Sequence, residues 1–238
     1  MERPRHVQGR CMSFDLEADM VAPVQSWLRS QGLTVKREFA TPWGICDLVA
    51  CSLDPDRVRQ RMELRQRESI GSQFRVSVLL MIPDERTRRS VTLRQLQRLA
   101  GPYASRAQLL REVDRLIERR FVDVTKRGTF RRRNGWMPLH RQLLAVELKL
   151  RRVEDALTQA RANLGFSDQS FVAFPRDVAT RIAHTSRAEA FARIGVGVLA
   201  VARRRVDMLV PAPRCKPEYW AACVHAVERF WQTRARDS

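Results

Sequence analysis

Leu143-Leu144-Ala145-Val146-Glu147-Leu148-Lys149-Leu150 is apolar except at two positions. A short apolar run bounded by charged residues reads as a strand buried on both faces. Side chains alternate along a strand, so Glu147 and Lys149 share one face. A carboxylate and an ammonium in such a place are costly unless they meet partners or a metal. The lysine is informative in its own right. Of 44 basic residues, only Lys36, Lys126, Lys149 and Lys216 are lysine. An ammonium is a compact point charge whose pKa moves on burial, which suits catalysis better than a guanidinium does. A structural reading stands beside the catalytic one: a buried Glu–Lys pair that fixes the strand.

The chain of 238 residues has room for one large domain, or one domain carrying a smaller one. Its hydrophobic share of 44% is ordinary for a globular protein. No apolar run approaches the roughly 20 residues of a membrane helix. Met1-Glu2-Arg3-Pro4-Arg5 is basic, but no apolar stretch follows it, so no secretory signal and no membrane association are expected. Cysteines 11, 46, 51, 215 and 223 form no CxxC pair and read as reduced thiols of a cytoplasmic protein. Cys223 and His225 are two apart on an expected helix and point different ways, which argues against zinc.

The net charge of +18 implies a polyanionic partner, nucleic acid before membrane. Arginine content also follows gene base composition, so distribution weighs more than the total. Residues 57–133 hold 20 Arg and one Lys against eight acids, a net of +13 that leaves +5 for the rest. The basic field belongs to the middle of the chain.

The coarse order of elements is α/β. Residues 14–31 read as a helix with Leu16, Met20, Val24, Trp27 and Leu28 on one stripe, kinked at Pro23 and stopped at Gly32. Strands over 34–39 and 45–51 follow, joined by Ala40-Thr41-Pro42-Trp43-Gly44. Residues 57–70 read as a charged helical connector and 74–82 as an apolar helix or strand. Thr92-Leu93-Arg94-Gln95 and Ser105-Arg106-Ala107-Gln108 each fit a capping box opening a helix. Residues 121–125 and 129–133 flank a Lys126-Arg127-Gly128 turn, a β-hairpin signal. Beyond Lys149, helices are expected over 154–164, 177–193 and 217–236, and strands over 170–174, 195–202 and 206–210. Alternating β and α around buried strands argues a sheet with helices on both faces.

An early helix acid, Glu17, a strand acid, Asp47, and Glu147-x-Lys149 on a later strand stand in a recognisable order. With Leu16-Glu17-Ala18, Trp27-Leu28-Arg29-Ser30-Gln31-Gly32, Gly44-Ile45-Cys46-Asp47-Leu48-Val49 and Ala145-Val146-Glu147-Leu148-Lys149, the chain resembles the PD-(D/E)XK nuclease superfamily. The resemblance covers about residues 13–51 and 142–210, with Cys46 where the motif's name has proline. It implies a restriction-endonuclease-like mixed sheet flanked by helices. It further implies that Asp47 and Glu147 bind Mg²⁺, for which Mn²⁺ substitutes, with the Leu148 carbonyl as a third ligand. Lys149 would orient or deprotonate the attacking water, Glu17 would hold a metal or its water, and Gln159 would be a secondary positioning residue. These residue types fit the chemistry. Phosphodiester hydrolysis needs an activated water and neutralisation of charge on the phosphate oxygens, and Mg²⁺ prefers a few carboxylates plus water and substrate phosphate.

Asp47 and Glu147 are 99 residues apart, counting those between them, far more than a small nuclease core needs. The division expected is 1–56 and 139–238 for the nuclease core and 57–138 for an insert. The insert's two capped helices and basic hairpin resemble a winged helix–turn–helix domain. On the longer helix Gln108, Arg111 and Arg115 fall opposite the apolar stripe, where a recognition helix presents side chains to the major groove. Arg reads guanine and Gln adenine in a bidentate manner. Lys126, Arg127, Arg131, Arg132 and Arg133 on the hairpin suit phosphates.

The expected function is therefore a Mg²⁺-dependent DNA endonuclease, cytoplasmic or nucleoid-associated, acting on double-stranded DNA. A homodimer would supply two sites for two strands. Two other readings use the same residues: a non-catalytic DNA-binding regulator on a nuclease-like scaffold, and a nuclease subunit of a larger complex or an RNA nuclease.

Overall fold

The computed structural model describes residues 14–133 and 135–234. Cys11 and the basic N-terminal stretch lie outside the described residues.

Where one helix over 14–31 was expected, a 3₁₀ turn at Glu17–Met20 leads into α1 (Val21–Ser30). Pro23 falls in the first turn of α1, where its missing N–H costs no intrahelical bond. Met20, Val24 and Leu28 are buried as the stripe requires, but Leu16 is exposed. β1 (Thr34–Thr41) and β2 (Gly44–Leu53) form an antiparallel hairpin. The middle of the chain holds α2 (Pro55–Glu63), α3 (Gln73–Met81), α4 (Leu93–Ala100) and α5 (Arg106–Glu118), then the short hairpin β3 (Val122–Val124) and β4 (Phe130–Arg132). Thr92 and Gln95 form the expected reciprocal cap of α4; at α5, Ser105 Oγ accepts from the Gln108 N–H. The apolar run before Pro83 is a helix, not a strand.

β5 (His140–Leu148) returns the chain to the large sheet, followed by α6 (Val153–Asn163) and β6 (Gln169–Pro175). The expected helix over 177–193 is two: α7 (Arg176–Ala183) and α8 (Ser186–Arg193), broken at His184-Thr185. β7 (Val196–Ala202), β8 (Arg205–Val210) and α9 (Trp220–Arg234) complete the described chain.

The sheet is mixed, in the order β1-β2-β5-β6-β7-β8. β5, β6 and β7 run parallel, and the other pairings are antiparallel. Met20 of the 3₁₀ turn and Val24 and Leu28 of α1 cover one face, against Leu48, Val146, Phe171 and Leu199. The other face is covered by α6, α7, α8 and α9. The run over 143–148 is buried throughout, as its composition demands, while Lys149 sits just past the end of β5 and not inside it.

One irregularity re-aims the edge of the sheet. Glu38 has φ 45, left-handed backbone that a non-glycine residue adopts at a cost. Simple alternation would put Phe39 and its partner Cys46 with Val35 and Leu48 on the α1 face. They pack instead with Val49, Cys51 and α9. Cys223 of α9 faces His140, with Sγ 3.7 Å from Nε2, and not His225.

The middle segment has its own core, built from Val76, Leu79, Leu96, Leu109, Val113, Leu116, Phe121 and Phe130, with Val224 of α9 contributing. Val91, ahead of α4, pairs antiparallel with Phe130 of β4. A buried ion pair ties this segment to α9. Arg61, fully buried in α2, donates from Nη1 to Glu228 Oε1 at 2.5 Å and from Nη2 to Oε2 at 2.9 Å. The Ile70 N–H donates to Glu228 Oε2 at 2.8 Å, and the guanidinium lies over the rings of Phe121 and Trp231.

Removing one partner of such a pair strands a buried charge, at a cost of about 3–5 kcal/mol. Glu228→Ala should lose that much by urea unfolding, and Arg61→Met/Glu228→Leu should recover most of it. A Glu228→Ala loss below about 1 kcal/mol would show that the pair does not hold the segment.

Candidate active site

β2 and β5 are antiparallel neighbours, and the pairing of Leu48 with Val146 puts Asp47 and Glu147 next in register. Sequence order alone separates them by a hundred positions; the sheet makes them neighbours. Asp47 is half-buried, and its Oδ2 accepts from the Leu148 N–H at 2.7 Å. That bond ties the strand acid of β2 to the end of β5. No described residue donates to Asp47 Oδ1.

Glu147 is 3% exposed. Its Oε1 accepts from Asn163 Nδ2 at 2.6 Å, and the same amide lies 3.5 Å from Cys46 Sγ. Burial pushes the Glu147 carboxyl above the usual glutamate range; the Asn163 hydrogen bond pulls it back, and the neighbouring Asp47 charge adds to the rise. Burial and the Glu147 carboxylate likewise push the Cys46 thiol well up, so Cys46 is a packed, protonated thiol.

Lys149 and Glu17 form the open half of the site. Lys149 Nζ lies 3.6 Å from Glu17 Oε2, and the Leu150 N–H donates to Glu17 Oε1 at 3.3 Å. The lysine side chain is 15% exposed and the glutamate 44%. Both line a cleft of about 940 Å³ with Asp155, Thr158 and Gln159 of α6. Glu147 and Asp47 are not among its lining residues. The site thus has a half-buried Glu17–Lys149 pair at the cleft and a more deeply set carboxylate pair behind it.

Of the expected residues, the fold brings Glu17 to Lys149 and Asp47 to Leu148 and Glu147. Gln159 lines the cleft from α6, but the α6 residue that touches Glu147 is Asn163. The i, i+4 spacing puts both on one helix face, but nothing in the sequence singles out Asn163. Among the described residues, no group of three or more His, Cys, Asp or Glu side chains stands close enough to hold a metal ion. Glu17, expected to help with a metal, turns its carboxylate to Lys149 and the Leu150 amide.

The expected nucleic-acid surface sorts into free and engaged cations. On α5, Arg111 is exposed, Gln108 is half-buried, and Arg115 is exposed 3.8 Å from Glu112, which already accepts from Arg75 at 2.5 Å. Lys126 and Arg127 stand exposed at the hairpin tip. Arg132 lies over the Trp136 ring at 4.3 Å and faces Asp84, and Arg133 faces Asp123 at 3.6 Å. Arg131 is half-buried with its Nε unpartnered.

No family model, no curated protein and no solved structure matches this chain. Among the described residues, no helix is long and apolar enough to cross a membrane.

A buried carboxylate with a raised pKa binds its proton more tightly folded than unfolded. Its contribution to stability is greatest at low pH and is lost as pH rises from the ordinary glutamate value through the raised one. In metal-free buffer above that window, Glu147→Gln should therefore be more stable than the wild type by thermal melting. A glutamine variant that melts below the wild type at neutral pH would contradict this account.

Proposed function

We propose that this chain is a divalent-metal-dependent deoxyribonuclease whose middle segment binds duplex DNA. The observation that carries the reading is one arrangement: Lys149 and Glu17 open to a cleft at the end of β5, with the Asp47–Glu147 carboxylate pair on adjoining strands behind them. The mixed sheet with helices on both faces supports a restriction-endonuclease-like fold. In the middle segment, α3, α4 and α5 followed by a hairpin that pairs back to Val91 support a winged helix–turn–helix reading.

The residues fit a hard divalent cation. No described residue donates to Asp47 Oδ1, and Glu147 is a desolvated carboxylate beside a second negative charge, an arrangement that a cation relieves. Mg²⁺ characteristically takes one or two protein carboxylates and fills its shell with water and substrate phosphate, so two suffice without a third acid. Asp47 and Glu147 would hold the ion, with the Leu148 carbonyl close by, and the ion would supply neutralisation of phosphate charge. Lys149, in the cleft, orients the attacking water and offsets the charge that develops on the phosphate oxygens. Glu17 holds the ammonium from one side and is itself held by the Leu150 amide, so the lysine's position is set before substrate arrives. Asn163 holds the Glu147 carboxylate in place, and Gln159 faces the substrate from α6. Of the residues expected at the DNA surface, Arg111, Arg115, Lys126 and Arg127 are exposed.

A second reading has one observation in its favour. Glu147 is buried and hydrogen-bonded, as a structural carboxylate would be, so a DNA-binding regulator on the same scaffold also fits.

Cleavage of duplex, branched and single-stranded DNA with Mg²⁺ or Mn²⁺ separates the two. Lys149→Ala should lower the rate by about 10²–10⁴-fold while leaving DNA affinity within about twofold. Glu147→Ala should abolish cleavage. Binding without cleavage of any DNA form would establish the regulator instead.

A further inference from the structure

The cleft of Lys149 does not end at Arg151. Arg151 and Val178 also line a second depression of about 460 Å³, whose other walls come from Val153 at the start of α6, from α7 and from the start of α8. The two differ in charge. Asp15, Glu17, Asp155 and Asp177 line the first beside its cations, whereas no acid lines the second. The second holds three guanidinium groups, Arg151, Arg181 and Arg187, all exposed. Among the described residues, no carboxylate lies within ion-pair distance of Arg151 or Arg187. Arg181 faces Asp177 at 3.7 Å across a solvated i, i+4 spacing, which is worth little.

Three like charges brought around one concavity repel each other, and an anion removes that cost. The backbone adds to the same field. Thr185 is the N-cap residue of α8, but its hydroxyl donates back to the Ile182 carbonyl at 3.0 Å and caps nothing. The first N–H groups of α8 are left without a side-chain acceptor, and Ser186 and Arg187, which carry them, line the depression.

We propose that this depression is a phosphate-binding subsite. It holds the backbone of the DNA strand beside the phosphate that sits at Lys149, and so rests on the nuclease reading of the first cleft. Arg151 is the hinge between the two, and Arg181 and Arg187 take the next phosphates. Guanidinium forks beside free backbone amides match the acceptor oxygens of phosphate, so this subsite sets the strand's path and does not read its sequence. The acids of the first cleft serve the opposite purpose: they keep a phosphate from settling there except where Lys149 and a cation neutralise it.

The test is binding of a fluorescently labelled duplex oligonucleotide, and separately of its single strand, to the full chain without divalent metal. Arg151→Ala/Arg187→Ala should weaken binding about tenfold at roughly 0.1 M salt and reduce the slope of log affinity against log salt by about 1.8, two phosphate contacts' worth. The melting temperature should be that of the wild type. Wild-type affinity and slope in this variant would overturn the subsite. So would an equal loss from Arg29→Ala/Arg37→Ala, two exposed arginines outside both clefts. A wild type that binds through the Arg151–Arg187 pair yet cleaves nothing would support the subsite and remove the nuclease reading alone. A wild type that binds neither DNA form would end both.

Discussion

Glu228 brings a carboxylate to 2% exposure on α9, and its two oxygens are shared between the Arg61 guanidinium and the Ile70 amide. That convergence joins the end of α2 and the loop before α3 to the closing helix, more than 150 positions further along the chain. The loop is held over its length. Arg61 Nε and Nη2 donate to the carbonyls of Gln66 and Glu68, Trp231 Nε1 donates to the carbonyl of Arg67, and Gln232 Nε2 donates to Ser69 Oγ. Neither charge could be buried alone. The basic middle segment is therefore not hung on a free linker. Its core takes Val224 from the same helix whose other side covers β2 and β5, so α5 and the hairpin keep a set position relative to the cleft. Under the proposed nuclease reading, that fixed offset would decide which phosphate reaches the lysine.

The site shows the same economy of burial. The strand β5 can be apolar on both faces because its polar members are either satisfied or placed at its end. Glu147 is inside, and Asn163 supplies its hydrogen bond. Lys149 is one step past the sheet, where water is available, and Glu17 meets it. The chain thus avoids a buried Glu–Lys pair. Each charge has a different partner, and the carboxylate that faces most desolvation is the one next to Asp47. The arrangement leaves an unbalanced negative pair and a separately held ammonium, which is what water activation beside a cation asks of a protein.

How much of this was legible follows from the range of each interaction. The β5 run, the two capped helices and the basic hairpin rest on local periodicity and local side-chain caps, and they appear where the sequence placed them. The break at His184-Thr185 was hidden because the residues on both sides are good helix formers, and the stop comes from α7 and α8 packing separately against β7. Asp47 and Glu147 were legible as strand acids, and the sheet order pairs their strands. Asn163 was not legible, because an asparagine near a helix end reads as a terminus signal, and its contact with Glu147 depends on how α6 lies across β5. Glu38 was equally silent: only pairing to β2 reveals that its left-handed backbone sends Phe39 and Cys46 to the α9 face.

The arginines of the middle segment divide between surface and interior. Most are exposed, but several are spent on internal contacts. Arg61 neutralises Glu228, Arg75 holds Glu112, Arg119 donates to the Ser69 carbonyl and pairs with Glu68, and Arg132 lies over Trp136. Such arginines work as planar hydrogen-bond donors and ring-stacking plates, roles a lysine fills poorly. The field offered to a polyanion is then set by those left over, among them Arg88, Arg94, Arg98, Arg111, Lys126 and Arg127 on the middle segment, and Arg151 and Arg187 beside the cleft. Net charge attracts DNA from a distance, but only uncommitted cations can release counterions on contact. A duplex engaged by both groups at once would be held on two sides of Lys149, so the path of the strand follows from which arginines the fold did not need for itself.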